Sequence, residues 1–179
     1  MDRYVAFLRG MNLGGRRIKN EELRRHFGEM GFEGVATFRA SGNVVFSNPK
    51  REAEGKLGRR VEAELDRRLG YDVSVFLRSV DEVAAISGQE PFDAKALKKS
   101  NGKLQVSLLM EKPSAAERKK ILALATADDL LAVEGREIYW LPSGGLLESD
   151  LDLKEIEGIV GPDTRRTMGT IEQIAAKYR

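Results

Sequence analysis

Eleven residues near the amino end concentrate groups suited to holding negative charge. The segment Arg9-Gly10-Met11-Asn12-Leu13-Gly14-Gly15-Arg16-Arg17-Ile18-Lys19 has three glycines, four cations and no acid. Glycines let backbone N–H groups approach an anion, a helix starting after the segment adds unpaired donors and a positive dipole end, and arginine offers a bidentate fork. A phosphate or a carboxylate would suit such a loop. Gly10 and Gly15 have the spacing of a P-loop opening, but Arg16 and Arg17 stand where Lys and a magnesium-binding hydroxyl are required. Gly10, Gly14 and Gly15 also miss the G-x-G-x-x-G spacing of a dinucleotide site. The expected ligand-binding set is Arg9, Gly10, Asn12, Gly14, Gly15, Arg16, Arg17 and Lys19; the competing account is a solvated loop whose arginines pair with surface acids.

Three further groups bear on chemistry. Ser41-Gly42-Asn43 would place a hydroxyl and an amide beside that loop if the hairpin it closes neighbours the first strand, although Ser-Gly is also ordinary turn chemistry. Thr164-Arg165-Arg166-Thr167 puts cations and hydroxyls ahead of the last helix, either as a second anion contact or as a capping turn with surface arginines. His26 is the single histidine. It lies beside the apolar stripe of a helix and reads as structural, and without a G-x-S-x-G elbow no serine-hydrolase mechanism is expected. Lys95, Lys98, Lys99 and Lys103 form a basic patch without interleaved aromatics, read as solvated, and residues 141–145 read as a Gly-rich exit from a strand. No general base stands out, so no catalytic residue is assigned and no cofactor is named.

Composition narrows the remaining classes. With no Cys and one His in 179 residues, disulfides, Cys-rich zinc sites, iron–sulfur clusters and thiol nucleophiles are excluded, and no metal site is expected. Thirty Lys plus Arg against 28 Asp plus Glu leave a charge of +2, too small for wholesale nucleic-acid coating. No apolar run approaches the ~18 residues of a membrane span, and the start of the chain lacks a signal-peptide pattern, so a cytoplasmic address is expected.

The elements that must position these groups follow from periodicity. Residues 4–8 read as a buried strand, and a helix begins at Asn20 as N-cap, with Leu23, Phe27 and Met30 on one face and Gly31 ending it. Residues 35–39 and 44–47 flank the Ser41-Gly42 reversal as a hairpin, residues 51–69 form a longer helix, and 73–77 a closing strand. Ser79 and Glu82 form a capping box for a short helix to 86, and 88–103 reads as a polar connector. A second set begins with a strand over 104–110, a helix capped by Ser114 and Glu117, and strands over 130–133 and 137–141. Helices over 151–157 and 168–178 take the place of a last strand. The expected fold class is α+β: two ferredoxin-like, split β-α-β subdomains packed together. The first spans 1–78, a helix and connector span 79–103, and the second, with its C-terminal helix, spans 104–179. The halves match in element order but not in sequence.

Arg9-Gly-Met-Asn-Leu-Gly-Gly15, Ser41-Gly-Asn-Val-Val-Phe46 and the late Thr-Arg-Arg together carry a resemblance. The chain resembles the bacterial family catalogued as domain of unknown function 1697. The resemblance implies two ferredoxin-like subdomains and brings no established activity. Two steps depart from the family pattern: Ser149-Asp150-Leu151 stands where Ser-Lys-Leu is usual, and Arg166-Thr167-Met168-Gly169-Thr170 keeps only the Arg and the last Thr of Arg-Asn-aromatic-Asn-Thr. Arg166 and Thr170 are what carries over from that late motif. The leading functional expectation is binding of a small anionic ligand, with Arg9, Arg16 and Arg17 stabilising charge should a reaction occur, and Ser41 and Asn43 orienting it. An RNA- or single-strand-binding module shares the β-α-β-β-α-β order, but offers only Phe46 on the third strand, with Tyr4 or Phe7 on the first. A protein-interaction module is the third class.

Overall fold

The computed structural model describes residues 1–11, 15, 17–39 and 42–179. The chain is α+β, with two four-stranded antiparallel sheets and, among the described residues, seven α-helices. It divides into two compact units, one of Met1–Ala85 with Ile174–Arg179 and one of Ile86–Gln173.

In the first unit the order is β1 (Asp2–Arg9), α1 (Asn20–Glu29), β2 (Glu33–Thr37), β3 (Asn43–Asn48), α2 (Glu54–Leu69) and β4 (Ser74–Ser79), followed by α3 (Val80–Ser87), which starts in this unit and ends in the second. The sheet runs β2-β3-β1-β4, with Val5 opposite both Val45 and Arg78. Strand alternation sends Tyr4, Ala6 and Leu8 toward the helices, where they meet Leu23 and Phe27 of α1 and Leu57, Val61 and Leu65 of α2. Leu57, Val61 and Leu65 recur every four residues, and that spacing marks the buried face of α2. Phe46 sits at the centre of an aromatic cluster, with ring centroids 5.9 Å from Tyr4, 5.4 Å from Phe27 and 4.4 Å from Phe32. The opposite sheet face is also buried at Val5, Phe7, Val45 and Phe76. β4 is an edge strand, and the outward N–H of Val75 is bonded to the Glu62 carboxylate of α2 at 2.8 Å, which blunts the edge against further pairing.

The second unit contains α4 (Ala94–Lys99), β5 (Gln105–Leu109), α5 (Ala115–Leu122), β6 (Asp129–Glu134), β7 (Glu137–Pro142), a 3-10 turn (Leu146–Glu148), α6 (Leu153–Val160) and β8 (Asp163–Thr167). α7 (Met168–Tyr178) starts in this unit and ends in the first. The sheet runs β6-β7-β5-β8, with its core on Leu109, Ile121, Ile138, Trp140 and Ile156. Both expected capping boxes form. Ser79 and Glu82 exchange bonds of 2.7 and 3.1 Å, and Ser114 and Glu117 bonds of 2.8 and 3.1 Å. Replacing Ser114 by Ala frees one first-turn N–H of α5 and should destabilise the chain by about 1 kcal/mol in denaturant unfolding.

Three sequence expectations are corrected. The second half does not lack a last strand: β8 pairs with β5, Val106 opposite Arg166. Its residues, Asp-Thr-Arg-Arg-Thr, carry no apolar alternation, so nothing local marks a strand, and pairing along β5 decides the conformation. The polar connector is not a bare loop. It contains α4, capped by Asp93, and is fastened to the end of β7 by Asn101 N–H on the Ser143 carbonyl at 2.9 Å and by the Ser100 hydroxyl on the Pro142 carbonyl. Finally, Asn20 does not cap α1; Lys19 stands at the N-cap without a side-chain bond, and the Asn20 amide is spent elsewhere.

The repeat reaches further into sequence than element order. Arg78 and Arg166 hold equivalent places in β4 and β8, each opposite a buried valine of the first strand of its sheet. Each guanidinium donates at 2.9 Å to the carbonyl of the preceding residue. Each is followed by a hydroxyl that accepts from the N–H three residues on, Ser79 from Glu82 and Thr167 from Thr170, opening the next helix.

Candidate anion-binding site

The Gly- and Arg-rich loop leaves β1 at Arg9, which is half-buried. Gly10 has φ +89°, and a Cβ there would stand 3.3 Å from the Asp72 carbonyl oxygen, so the chain turns away from the sheet at a place only glycine occupies without strain. Met11 drops into the core, and its carbonyl accepts from the Tyr71 hydroxyl at 3.4 Å. At the far end Ile18 packs on the core while Arg17 and Lys19 on either side of it are exposed, as is Gly15. Asn12, Gly14, Arg16 and Ser41 lie outside the described residues.

The β2–β3 hairpin closes on both ends of this loop. At its start, Leu8 N–H donates to the Gly42 carbonyl at 2.8 Å. Gly42, φ +73°, lies so close that a Cβ would meet Leu8 Cβ at 3.1 Å and Met11 Cγ at 3.4 Å. At the loop's end, the Asn20 amide donates to the Arg39 carbonyl at 3.0 Å. Arg39 is the one non-glycine residue with positive φ, +58°, among the described residues, a conformation that such a side chain holds at a cost. Asn43 is buried and ties the hairpin together: its amide donates to the Phe38 carbonyl at 3.0 Å, and the Phe38 N–H returns a 3.0 Å bond to the Asn43 carbonyl. Its turn-closing role is therefore evident in the structure. Arg24 of α1 donates to the Thr37 hydroxyl at 2.7 Å. Glu21 and Glu22 already offset the dipole at the start of α1, so positive charge at this end of the sheet comes from side chains.

The fold thus unites Arg9, Gly10, Gly42 and Asn43 at one end of the first sheet, with Arg17 and Lys19 on the adjoining loop. It adds Arg24 and Arg39, which no local pattern marks, because an arginine on an exposed helix face or in a turn is ordinary until the tertiary structure brings it beside the loop. Arg166 and Thr170 belong to the second unit. Arg166 is a strand residue, not a surface arginine of a capping turn: it donates to the Thr164 hydroxyl at 2.7 Å, and burial lowers its guanidinium to about 10, still cationic at neutral pH. The Thr170 N–H and hydroxyl both engage the Thr167 hydroxyl, at 3.2 and 3.0 Å.

His26 behaves as a packing and pairing residue. Its Nδ1 lies 3.4 Å from Arg68 Nη1, and Arg68 also bonds Glu29 and Glu64. Burial first, then Arg25 and Arg68, hold the imidazole below its ordinary value, which keeps it neutral at pH 7. The aromatics that an RNA-binding sheet would display are inside: Phe7 and Phe46 are 0% exposed and Tyr4 9%. No described helix is long and apolar enough to cross a membrane.

No curated protein matches the chain. A solved structure of a conserved bacterial protein from Streptococcus pneumoniae is similar in fold, with TM-score 0.74 and 19% identity over 98% of this chain and 97% of the other. The late Arg166 segment falls outside the family match, which covers the glycine-rich loop, the hairpin and most of the second sheet. Residues 1–139 match the family model described as Protein of unknown function (DUF1697), and the chain belongs to that family.

Proposed function

We propose that this is a cytoplasmic protein that binds a small phosphate- or carboxylate-bearing ligand at the Gly- and Arg-rich loop, under the β2–β3 hairpin. One observation carries the reading. The hairpin touches the loop at both ends, through Leu8 with Gly42 and through Asn20 with Arg39, so loop backbone and cationic side chains share one end of a rigid sheet. Arg9, Gly10, Asn12, Gly14, Gly15, Arg16, Arg17 and Lys19 form the binding set, with Ser41, Gly42 and Asn43 supporting it. The reading assigns binding, not a reaction. It also takes each unit as a ferredoxin-like split β-α-β fold, which the strand orders support.

A thermal-shift panel of phosphates, nucleotides and carboxylates tests it. At a hundredfold excess over Kd a true ligand should raise the wild-type Tm by roughly 5–10 °C. The combined variant Arg9→Ala, Arg16→Ala, Arg17→Ala should lose most of that shift while keeping its far-UV spectrum. A wild-type panel without a single hit, or a hit that the triple variant retains in full, overturns the reading.

A further inference from the structure

The second unit carries a cavity that the loop reading does not use. It measures about 360 Å³, at the small end of ligand pockets, and lies where α4 meets the start of β6 and the end of β7. The connector builds it: Asn101 and Ser100 fasten the end of α4 to the carbonyls of Ser143 and Pro142. Ala96, Leu130, Leu141 and Pro142 supply apolar lining. Three charged side chains join them, Lys95 and Lys99, four apart on one face of α4, and Asp128 from the turn before β6. Among the described residues none of these three side chains forms an ion pair or a hydrogen bond. Asp93, the other acid at the cavity, is already engaged, its Oδ1 accepting from the Ala96 N–H at 2.7 Å as the cap of α4. The neighbouring edge of β6 is engaged too. Both backbone groups of Asp129 bond to Thr126 at 3.0 Å, and the Val133 carbonyl accepts from Arg118 Nε at 3.4 Å, so an extended peptide has no continuous ladder to join. The volume and the closed edge fit a small molecule.

We propose that this cavity binds a free amino acid with an apolar side chain, its carboxylate on Lys95 and Lys99, its ammonium on Asp128 and its side chain against the apolar lining. A plain carboxylic acid would leave Asp128 unmatched, and an amine would leave both lysines unmatched. The site is independent of the loop in the first unit, and either can fail alone. A sequence pattern does not reveal it, because Lys95 and Lys99 read as part of a solvated basic patch until the connector is seated on β7.

Calorimetric titration of the full chain tests the proposal with three probes: leucine, isocaproate, which lacks the ammonium, and leucinamide, which has a neutral amide in place of the carboxylate, as a peptide amino end does. Wild type should bind leucine at least roughly tenfold more tightly than either analogue, since each analogue forfeits one charged contact. Lys95→Ala combined with Lys99→Ala should weaken leucine roughly tenfold and leave leucinamide within about twofold. Asp128→Asn should weaken leucine by a similar factor and leave isocaproate unchanged. All three residues are exposed, so both variants should keep the wild-type Tm. Isocaproate binding as tightly as leucine would make the cavity a site for plain acids, and leucinamide doing so would make it a site for peptide amino ends; either overturns the proposal. Binding of none of the three, or leucine affinity unchanged in both variants, overturns it as well.

Discussion

Gly102→Ala should destabilise the chain by about 2–3 kcal/mol. A methyl group at Gly102 would stand 2.6 Å from the carbonyl oxygens of both Pro142 and Gly144, and 2.8 Å from Pro142 Cγ. Two of the three are backbone atoms, so no side-chain rotation relieves the contact. The connector or the end of β7 must move, and with it the Asn101–Ser143 bond of 2.9 Å and the Ser100 hydroxyl's bond to the Pro142 carbonyl. Alanine recovers up to about 1 kcal/mol by restricting the unfolded chain, which is less than the clash and the lost bonds cost. Gly58→Ala is the matched control. It lies in the second turn of α2 with nothing within 4 Å of an added Cβ, and should stabilise by about 0.5–1 kcal/mol. Guanidinium unfolding midpoints of the two variants should move in opposite directions. A Gly102→Ala midpoint at the wild-type value would show that the connector is not seated on β7.

That seat explains which parts of the molecule were legible beforehand. Elements whose evidence is local were readable: the four-residue spacing of Leu57, Val61 and Leu65, the reciprocal Ser79/Glu82 and Ser114/Glu117 pairs, and the hairpin about Gly42 all encode their geometry within a few residues. Elements whose evidence is a partner were not. Asp163–Thr167 becomes a strand because β5 offers it a ladder, and its two arginines give no period-2 signal. Asn20 reads as a helix cap, but it is already the first residue of α1, with Lys19 at the N-cap, and its side-chain N–H donates to the Arg39 carbonyl 19 residues away. The connector's composition promises a solvated loop, while its fastening depends on carbonyls some forty residues later.

The candidate site divides in the same way. The Gly- and Arg-rich composition of residues 9–19 is visible at once, because glycine and arginine density is a property of the segment itself. Arg24 and Arg39 are ordinary surface cations until α1 and the hairpin meet at Thr37 and at the Arg39 carbonyl. The equivalence of Arg78 and Arg166 was hidden for another reason. In β4 the arginine follows Val75, Phe76 and Leu77 and reads as the end of an apolar strand, whereas in β8 it follows polar residues. Only the shared register, each opposite a valine, shows them to be the same position.

Phe46→Ala should lower stability by about 3–5 kcal/mol, roughly a 10–15 °C fall in Tm. Phe46 is fully buried and its ring is the hub on which Tyr4, Phe27 and Phe32 meet, from β1, α1 and the start of β2. Truncation removes the ring's own burial and leaves three aromatic neighbours facing a void that a packed sheet cannot close. Phe46→Leu, which refills most of that volume, should cost less than half as much. The pair of variants also decides between two roles for this strand. On a nucleic-acid-binding sheet, an aromatic at this position stacks on a base, so its loss weakens binding by about 1–3 kcal/mol and leaves the fold intact. Here strand alternation sends Phe46 toward the helices, with Tyr4 opposite it on the same face, so the expected loss is one of stability. A Phe46→Ala protein that melts within about 2 °C of wild type would mean that the ring is not core, and would return the sheet to consideration as a binding surface.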